Sequence, residues 1–360
     1  MGVEFWKATG NVQGRAAALA AEAERDGYDG MTLSDTPCQT ADPLVGLALA
    51  AGTTKHLGLG LGVTNSVTRH PSTLAAAMAT VQLASDGRAV IGIGRGDSAV
   101  TKVGLEASKV GVFEQYVTRL QGYLSGEVVE LDGPMARLAW VDGPKVPVDV
   151  AASGPKMVAV AARHAERITF NIGADPDRVA HFVDLAREGG HNGRPESLGA
   201  PSLGLYVNVA PHPDEAIAHQ LVKPVVAVYM RFSGMGGHTV EGVPPKDAAV
   251  IEAVASNYDM ARHAQSDASH LEYLDDEFVG RFAVAGSPEH CTQRLTELAG
   301  LGIGRFIVAG PAIGEDPDHV AESRRLLAGR VIPAVRAALA ASPSPAATAP
   351  LTNLDPRSTR

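Results

Sequence analysis

Residues 60–98 read GLGVTNSVTRHPSTLAAAMATVQLASDGRAVIGIGRGDS, and this stretch decides the fold. An apolar strand ends in Gly62-Val63-Thr64-Asn65, an Arg69-His70-Pro71 turn opens an alanine-rich helix, and a second strand ends in Gly94-Arg95-Gly96-Asp97. Two successive strands therefore deliver polar, glycine-flanked residues at their carboxyl ends. In an α/β chain folded as a (β/α)8 TIM barrel, that is the end where active sites are built. The pattern predicts an enzyme on such a barrel.

The alternation extends both ways from this stretch. Strands are predicted at Val3–Trp6, Gly30–Leu33, Leu57–Leu61, Arg88–Ile93, Val148–Ala151, Ile168–Asn171, Leu203–Asn208 and Arg305–Val308. Helices are predicted at Val12–Asp26, Ser72–Ser85, Phe113–Ser125, Pro155–His164, Asp177–Glu188 and Pro288–Leu301. Short apolar strands alternating with helices are the signature of a parallel sheet, and eight is the barrel number. Asp86-Gly87 reads as a left-handed helix stop and Pro155 as a first helical residue.

Two stretches depart from the repeat. Residues 126–147 alternate and turn on Gly-Pro, which predicts an inserted hairpin. Residues 212–284 form the longest gap between strands, with helical runs around a glycine-rich break at Ser233-Gly234-Met235-Gly236-Gly237. Such an insertion on the C-terminal face reads either as a substrate lid or as a helical oligomer interface. The whole is read as one barrel domain over residues 1–341, followed by a disordered tail at 342–360 that is rich in Pro, Ala, Ser and Thr.

Composition narrows the class. Of 360 residues, 45% are hydrophobic and 20% charged, as in an ordinary globular protein with a large core. A formal net charge of -9 argues against nucleic-acid or anionic-membrane partners, which require a positive field. The two cysteines, Cys38 and Cys291, suggest no disulfide framework, and with no signal peptide or apolar span visible the expected location is the cytoplasm. The 12 histidines are scattered and form no metal set, and His70 reads as a structural buttress of its turn. H-E-x-x-H, C-x-x-C, P-loop and G-x-S-x-G motifs do not occur, and Gly92–Gly96 lacks dinucleotide-loop spacing.

Three acidic residues lie at or beside predicted strand ends: Glu4, Asp35 and Asp97. A barrel brings such positions to one ligand, where crowded carboxylates can pass a proton. The bland alternative for Asp35 and Asp97 is a helix cap or turn former. Ser153-Gly154-Pro155-Lys156 starts a helix after the fifth strand. Its hydroxyl, its close-approach glycine and its lysine suit an anion, most naturally a cofactor phosphate, or else form a simple capped junction.

Over residues 2–335 the chain resembles the bacterial luciferase-like family, in its coenzyme F420 (deazaflavin) branch. The resemblance rests on Gly62–Asn65, Arg69-His70-Pro71, Gly87-Arg88 leading to Gly94–Asp97, Ala152–Lys156 and Phe282–Cys291. It implies a TIM barrel, dimeric or larger, with a non-prolyl cis peptide at Gly62-Val63 that forms a bulge behind the deazaflavin ring. It also implies that Asp35, Gly62, Val63, Thr64 and Asn65 line the ring, that Ser153, Gly154, Pro155 and Lys156 take the phosphate, and that Glu4, Asp35 and Asp97 handle a proton.

There are departures. Thr36 follows Asp35 where sugar-phosphate dehydrogenases of this branch carry histidine, and Ser34–Leu44 (SDTPCQTADPL) differs from the branch's pterin reductases, so neither substrate carries over. The expectation is hydride transfer between the C5 position of F420 and a small organic substrate. The alternatives are an FMN-dependent monooxygenase of the same fold and a non-catalytic flavin-binding protein.

Overall fold

The computed structural model describes residues 2–130, 133–190, 193–234, 242–312 and 314–341. Eight parallel strands close into a barrel: β1 (Glu4–Gly10), β2 (Gly30–Ser34), β3 (Gly58–Leu61), β4 (Ala89–Gly94), β5 (Val148–Ala152), β6 (Arg167–Phe170), β7 (Ser202–Pro211) and β8 (Arg305–Ala309). Each pairs with its sequence neighbour, and β8 returns to β1 with Phe5 opposite Phe306. A TIM barrel is what the strand–helix alternation predicts.

The residues explain the closure. β3 and its extension read Gly58-Leu59-Gly60-Leu61-Gly62. The leucines are buried in the outer layer under the helices, and the glycines face the barrel axis. The space they leave is filled by Trp6. A Cβ on Gly30 would lie 2.3 Å from the Trp6 ring and one on Gly58 2.6 Å from it. The period of two, with glycine on one face, thus encodes where the largest interior side chain sits.

Helix ends follow their signals. Asp42 accepts from Leu44 N at 2.8 Å and Val45 N at 3.2 Å, capping a Pro43–Ala51 helix that carries no charged residue and no polar face. That helix has no amphipathic period, and for this reason periodicity does not predict it. His70 caps the Pro71–Ala84 helix through Ser72 N at 3.3 Å. Asp86 (φ 51°) and Gly87 (φ 88°) make the predicted left-handed stop.

The first strand differs from its prediction. β1 runs on to Gly10 rather than stopping at Trp6, and the Val12–Asp26 helix shrinks to a turn at Val12–Gly14 followed by Ala16–Arg25. Within residues 126–147, Val129–Glu130 pairs antiparallel with Met135–Ala136. In the 212–284 stretch, a long helix (Glu215–Gly234) packs on a second (Pro245–Ser256), and a third (Asp276–Phe282) leads into Val284–Gly286, which pairs with the end of β7. Met235, Gly236, Gly237 and the tail at 342–360 lie outside the described residues. No helix among the described residues is long and apolar enough to cross a membrane.

Candidate active site

At the carboxyl end of β2, Asp35 is only 1% exposed. Its Oδ2 accepts from Thr64 Oγ1 at 2.6 Å and forms an ion pair with Arg69. The Arg69 guanidinium also reaches Asp42 at 2.9 Å, and its backbone carbonyl accepts from the Tyr116 hydroxyl at 3.0 Å. Burial works against the Arg69 charge, but Asp35 and then Asp42 override it and hold the guanidinium above its ordinary pKa. One carboxylate oxygen is therefore fixed, while the other, Oδ1, is buried without a hydrogen-bond partner among the described residues.

The strand after β3 bends here. The Gly62-Val63 peptide is cis, and Thr64-Asn65 pairs with Ile93-Gly94 of β4. Asn65 Oδ1 accepts from Val67 N (2.9 Å), Thr68 N (2.8 Å) and Thr68 Oγ1 (3.1 Å), which locks the amide plane. Its Nδ2 is buried without a hydrogen-bond partner among the described residues. A Cβ on Gly62 would fall 2.3 Å from Thr32 Oγ1, so the chain passes β2 at a distance only glycine allows. Asp35 and Asn65 thus each direct hydrogen bonds backwards into the scaffold and keep one buried polar atom for something else.

The Ser153–Lys156 turn joins β5 to the Pro155–His164 helix, with Gly154 as its N-cap and no side-chain cap. No heavy atom of the described residues lies within 4 Å of a Cβ built on Gly154, so the helix start is open there. Nearby, Asn171 N donates to Ala152 O at 2.9 Å, and the Asn171 Oδ1 is buried without a partner. Asn208, on β7, has a similarly unpartnered Nδ2.

Glu4 does not join this set. It is the first residue of β1, opposite Arg305, the first residue of β8. It therefore lies at the amino end of the barrel, some ~20 Å of strand from Gly10. Its carboxylate accepts from Trp6 Nε1 at 2.9 Å and lies 3.9 Å from Arg167. The physical reason is the extra length of β1: its functional end is Ala8–Gly10, not the acidic residue that opens it.

Asp97 does lie at the carboxyl end, just after β4, and the structure gives it a partner that strand-end reasoning misses. Its carboxylate pairs with Arg231, near the end of the Glu215–Gly234 helix. The Arg231 guanidinium stands 5.2 Å over the Tyr258 ring, which stacks on His270 at 4.1 Å and bonds His263 Nδ1 through its hydroxyl at 2.9 Å. Burial lowers the His263 pKa to about 4, so the imidazole is neutral at neutral pH. The 212–284 insertion therefore reaches Asp97 with an arginine backed by an aromatic stack. No local motif announces Arg231, since only tertiary packing brings it across.

This arrangement combines a buried carboxylate with a free oxygen, a locked amide with a free N–H and an open helix start, under an insertion joined by an ion pair. The luciferase-like monooxygenase family model matches residues 5–305. The chain is 27% identical over 312 residues to a 5,10-methylenetetrahydromethanopterin reductase of Methanolobus tindarius, covering 84% of this chain and 92% of that one. It is 25% identical over 307 residues to an F420-dependent glucose-6-phosphate dehydrogenase of Beutenbergia cavernae, covering 80% and 85%. Among solved structures, the coenzyme F420-dependent tetrahydromethanopterin reductase of Methanopyrus kandleri superposes with a TM-score of 0.71 at 25% identity, over 92% of this chain and 99% of that chain. With a family match across most of the barrel and these relatives aligned along nearly their whole length, the chain belongs to the luciferase-like monooxygenase family.

Proposed function

We propose that this protein is a coenzyme F420-dependent oxidoreductase, moving a hydride between the deazaflavin and a small organic substrate. The observation that carries the reading is the pair of unsatisfied atoms at the bulge, Asp35 Oδ1 and Asn65 Nδ2. A fused ring bearing carbonyl and N–H groups offers the complementary acceptor and donor. Gly62, Val63 and Thr64 form the wall behind it, and Ser153, Gly154, Pro155 and Lys156 form the cradle for a phosphate. The named relatives that use F420 support the same cofactor.

When bound, the deazaflavin supplies the carbon that gives or takes the hydride. The chain's own residues supply orientation and proton handling. Thr64 and Arg69 fix one Asp35 oxygen, leaving the other to hold a proton at the ring or substrate edge. Asn65 orients through its locked amide. Asp97, held by Arg231, marks the substrate side, and the 212–284 insertion covers it as a lid. Glu4 has no place in this scheme.

Fluorescence titration of the protein with F420 and with FMN tests the cofactor. Micromolar quenching of F420 with FMN at least about tenfold weaker is the expected result. The reverse preference makes an oxygen-using FMN monooxygenase the correct reading, and binding of neither removes the phosphate role of Ser153–Lys156.

The same reading includes a homodimer. The Pro43–Ala51 and Pro71–Ala84 helices lie side by side on the barrel surface and contain no charged residue. Val45 and Leu49 are 61% and 56% exposed there, and Leu83 joins them. An uncharged two-helix face of this kind suits a second copy of the same face. Val45→Glu with Leu49→Glu is expected to halve the mass seen by sedimentation. An unchanged mass would place the interface elsewhere.

A further inference from the structure

The 126–147 segment joins the Val110–Leu124 helix to β5, which puts it at the amino end of the barrel, away from Asp35 and Asn65. Its apolar residues divide into two sets. Val129 and Val146 are buried in the core, and Leu138 packs against it. Val128, Met135 and Trp140 remain 54%, 69% and 50% exposed. From Gly133 to Val141 the sequence GPMARLAWV carries one charged residue, Arg137. A segment anchored by one apolar set while a second stands in water has another surface to cover.

That surface continues the uncharged face of the Pro43–Ala51 and Pro71–Ala84 helices. Gln82, in the second of these helices, donates through Nε2 to Pro144 O at 3.2 Å, and a Cβ on Gly143 would lie 3.8 Å from Leu83 Cδ2. Leu83 is half-exposed, and at most about 11 Å of chain separates Trp140 from Gly143. The two helices offer Val45, Leu49 and Leu83 as large exposed apolar residues, with no aromatic ring and no arginine. Stable interfaces bury about 800 Å² on each partner and anchor on aromatic or arginine side chains. Trp140 and Arg137 supply what the helices lack. A formal net charge of -9 opposes an anionic lipid surface as the partner, whereas a second copy of an uncharged face meets no such repulsion.

We propose that the 126–147 segment is an intersubunit arm, in which Met135 and Trp140 dock on a second copy of this chain beside the two-helix face. The arm presupposes the homodimer read above and adds its aromatic anchor. The chain has two tryptophans, and Trp6 is buried inside the barrel, so Trp140 reports its own docking. Diluting the full chain through its dimer–monomer transition is expected to shift tryptophan emission to the red, and Trp140→Phe to abolish that shift. Trp140→Ser with Met135→Ser is expected to raise the dimer Kd about 30-fold or more in sedimentation velocity, the effect of losing one such anchor. Melting of the monomer is expected to stay unchanged, because both side chains are exposed within one copy. If the serine variant dimerises like the parent while Val45→Glu with Leu49→Glu does not, the homodimer stands and the arm is overturned. The converse result supports the arm and removes the two-helix face from the interface. Emission that ignores dilution but moves to the blue with phosphatidylcholine vesicles assigns Trp140 to lipid and overturns the arm, and a parent chain monomeric at every concentration overturns both.

Discussion

Asp149→Asn is expected to destabilise the fold by about 3–5 kcal/mol, the usual cost of removing one partner from a buried ion pair. Among the described residues Asp149 is the carboxylate that pairs with Arg305, at 2.9 Å, and both residues are buried, at 5% and 3% exposure. The substituted amide still accepts from Thr169, so the effect isolates the charge. Urea denaturation followed by far-UV circular dichroism reads it as a lower midpoint. Combining Asp149→Asn with Arg305→Met should recover most of the loss, because an apolar side chain of similar length removes the unpaired guanidinium. If the single variant melts like the parent protein, the charge on Asp149 contributes nothing to stability.

Asp35→Asn is expected to slow single-turnover hydride transfer by about 10²- to 10⁴-fold, the range for a positioned acid or base. The asparagine can still accept from Thr64 through its Oδ1, and Asp42 continues to hold Arg69. The fold and the bulge should therefore survive. Stopped-flow measurement of deazaflavin absorbance separates two roles for Asp35. A slower transfer with F420 affinity changed by less than about tenfold indicates proton handling. An unchanged rate with weakened binding reduces Asp35 to a ring contact.

The readable and unreadable parts of this protein divide along a physical line. The eight strands, their parallel order and most of their connecting helices follow from local period and punctuation. Gly58-Leu59-Gly60-Leu61-Gly62 states its register outright, because alternation sends glycine inward and leucine outward. Asp86-Gly87 and Pro155 mark helix ends through backbone dihedral preferences that need no tertiary context. The bulge at Gly62–Asn65 is implied by the family resemblance, whereas the turn at Ser153–Lys156 is legible because it is one continuous segment.

Other features are set by distant parts of the chain. The end of β1 is fixed by pairing with β2, in which Gly10 meets Ser34, and this register moves Glu4 to the far end of the barrel. The Pro43–Ala51 helix carries no amphipathic period, so its existence is settled by the Asp42 cap and by packing against its neighbours. Arg231 and Asp97 are 134 residues apart and meet only because the insertion folds back over β4. Arg305, Asp149 and Thr169 look like ordinary strand residues until the closed barrel buries them together. Sequence by itself determined the architecture and the segments that line its carboxyl end, since those depend on local backbone chemistry. Which charges face one another was decided by tertiary structure alone, because electrostatic partnership depends on distance in space and on burial.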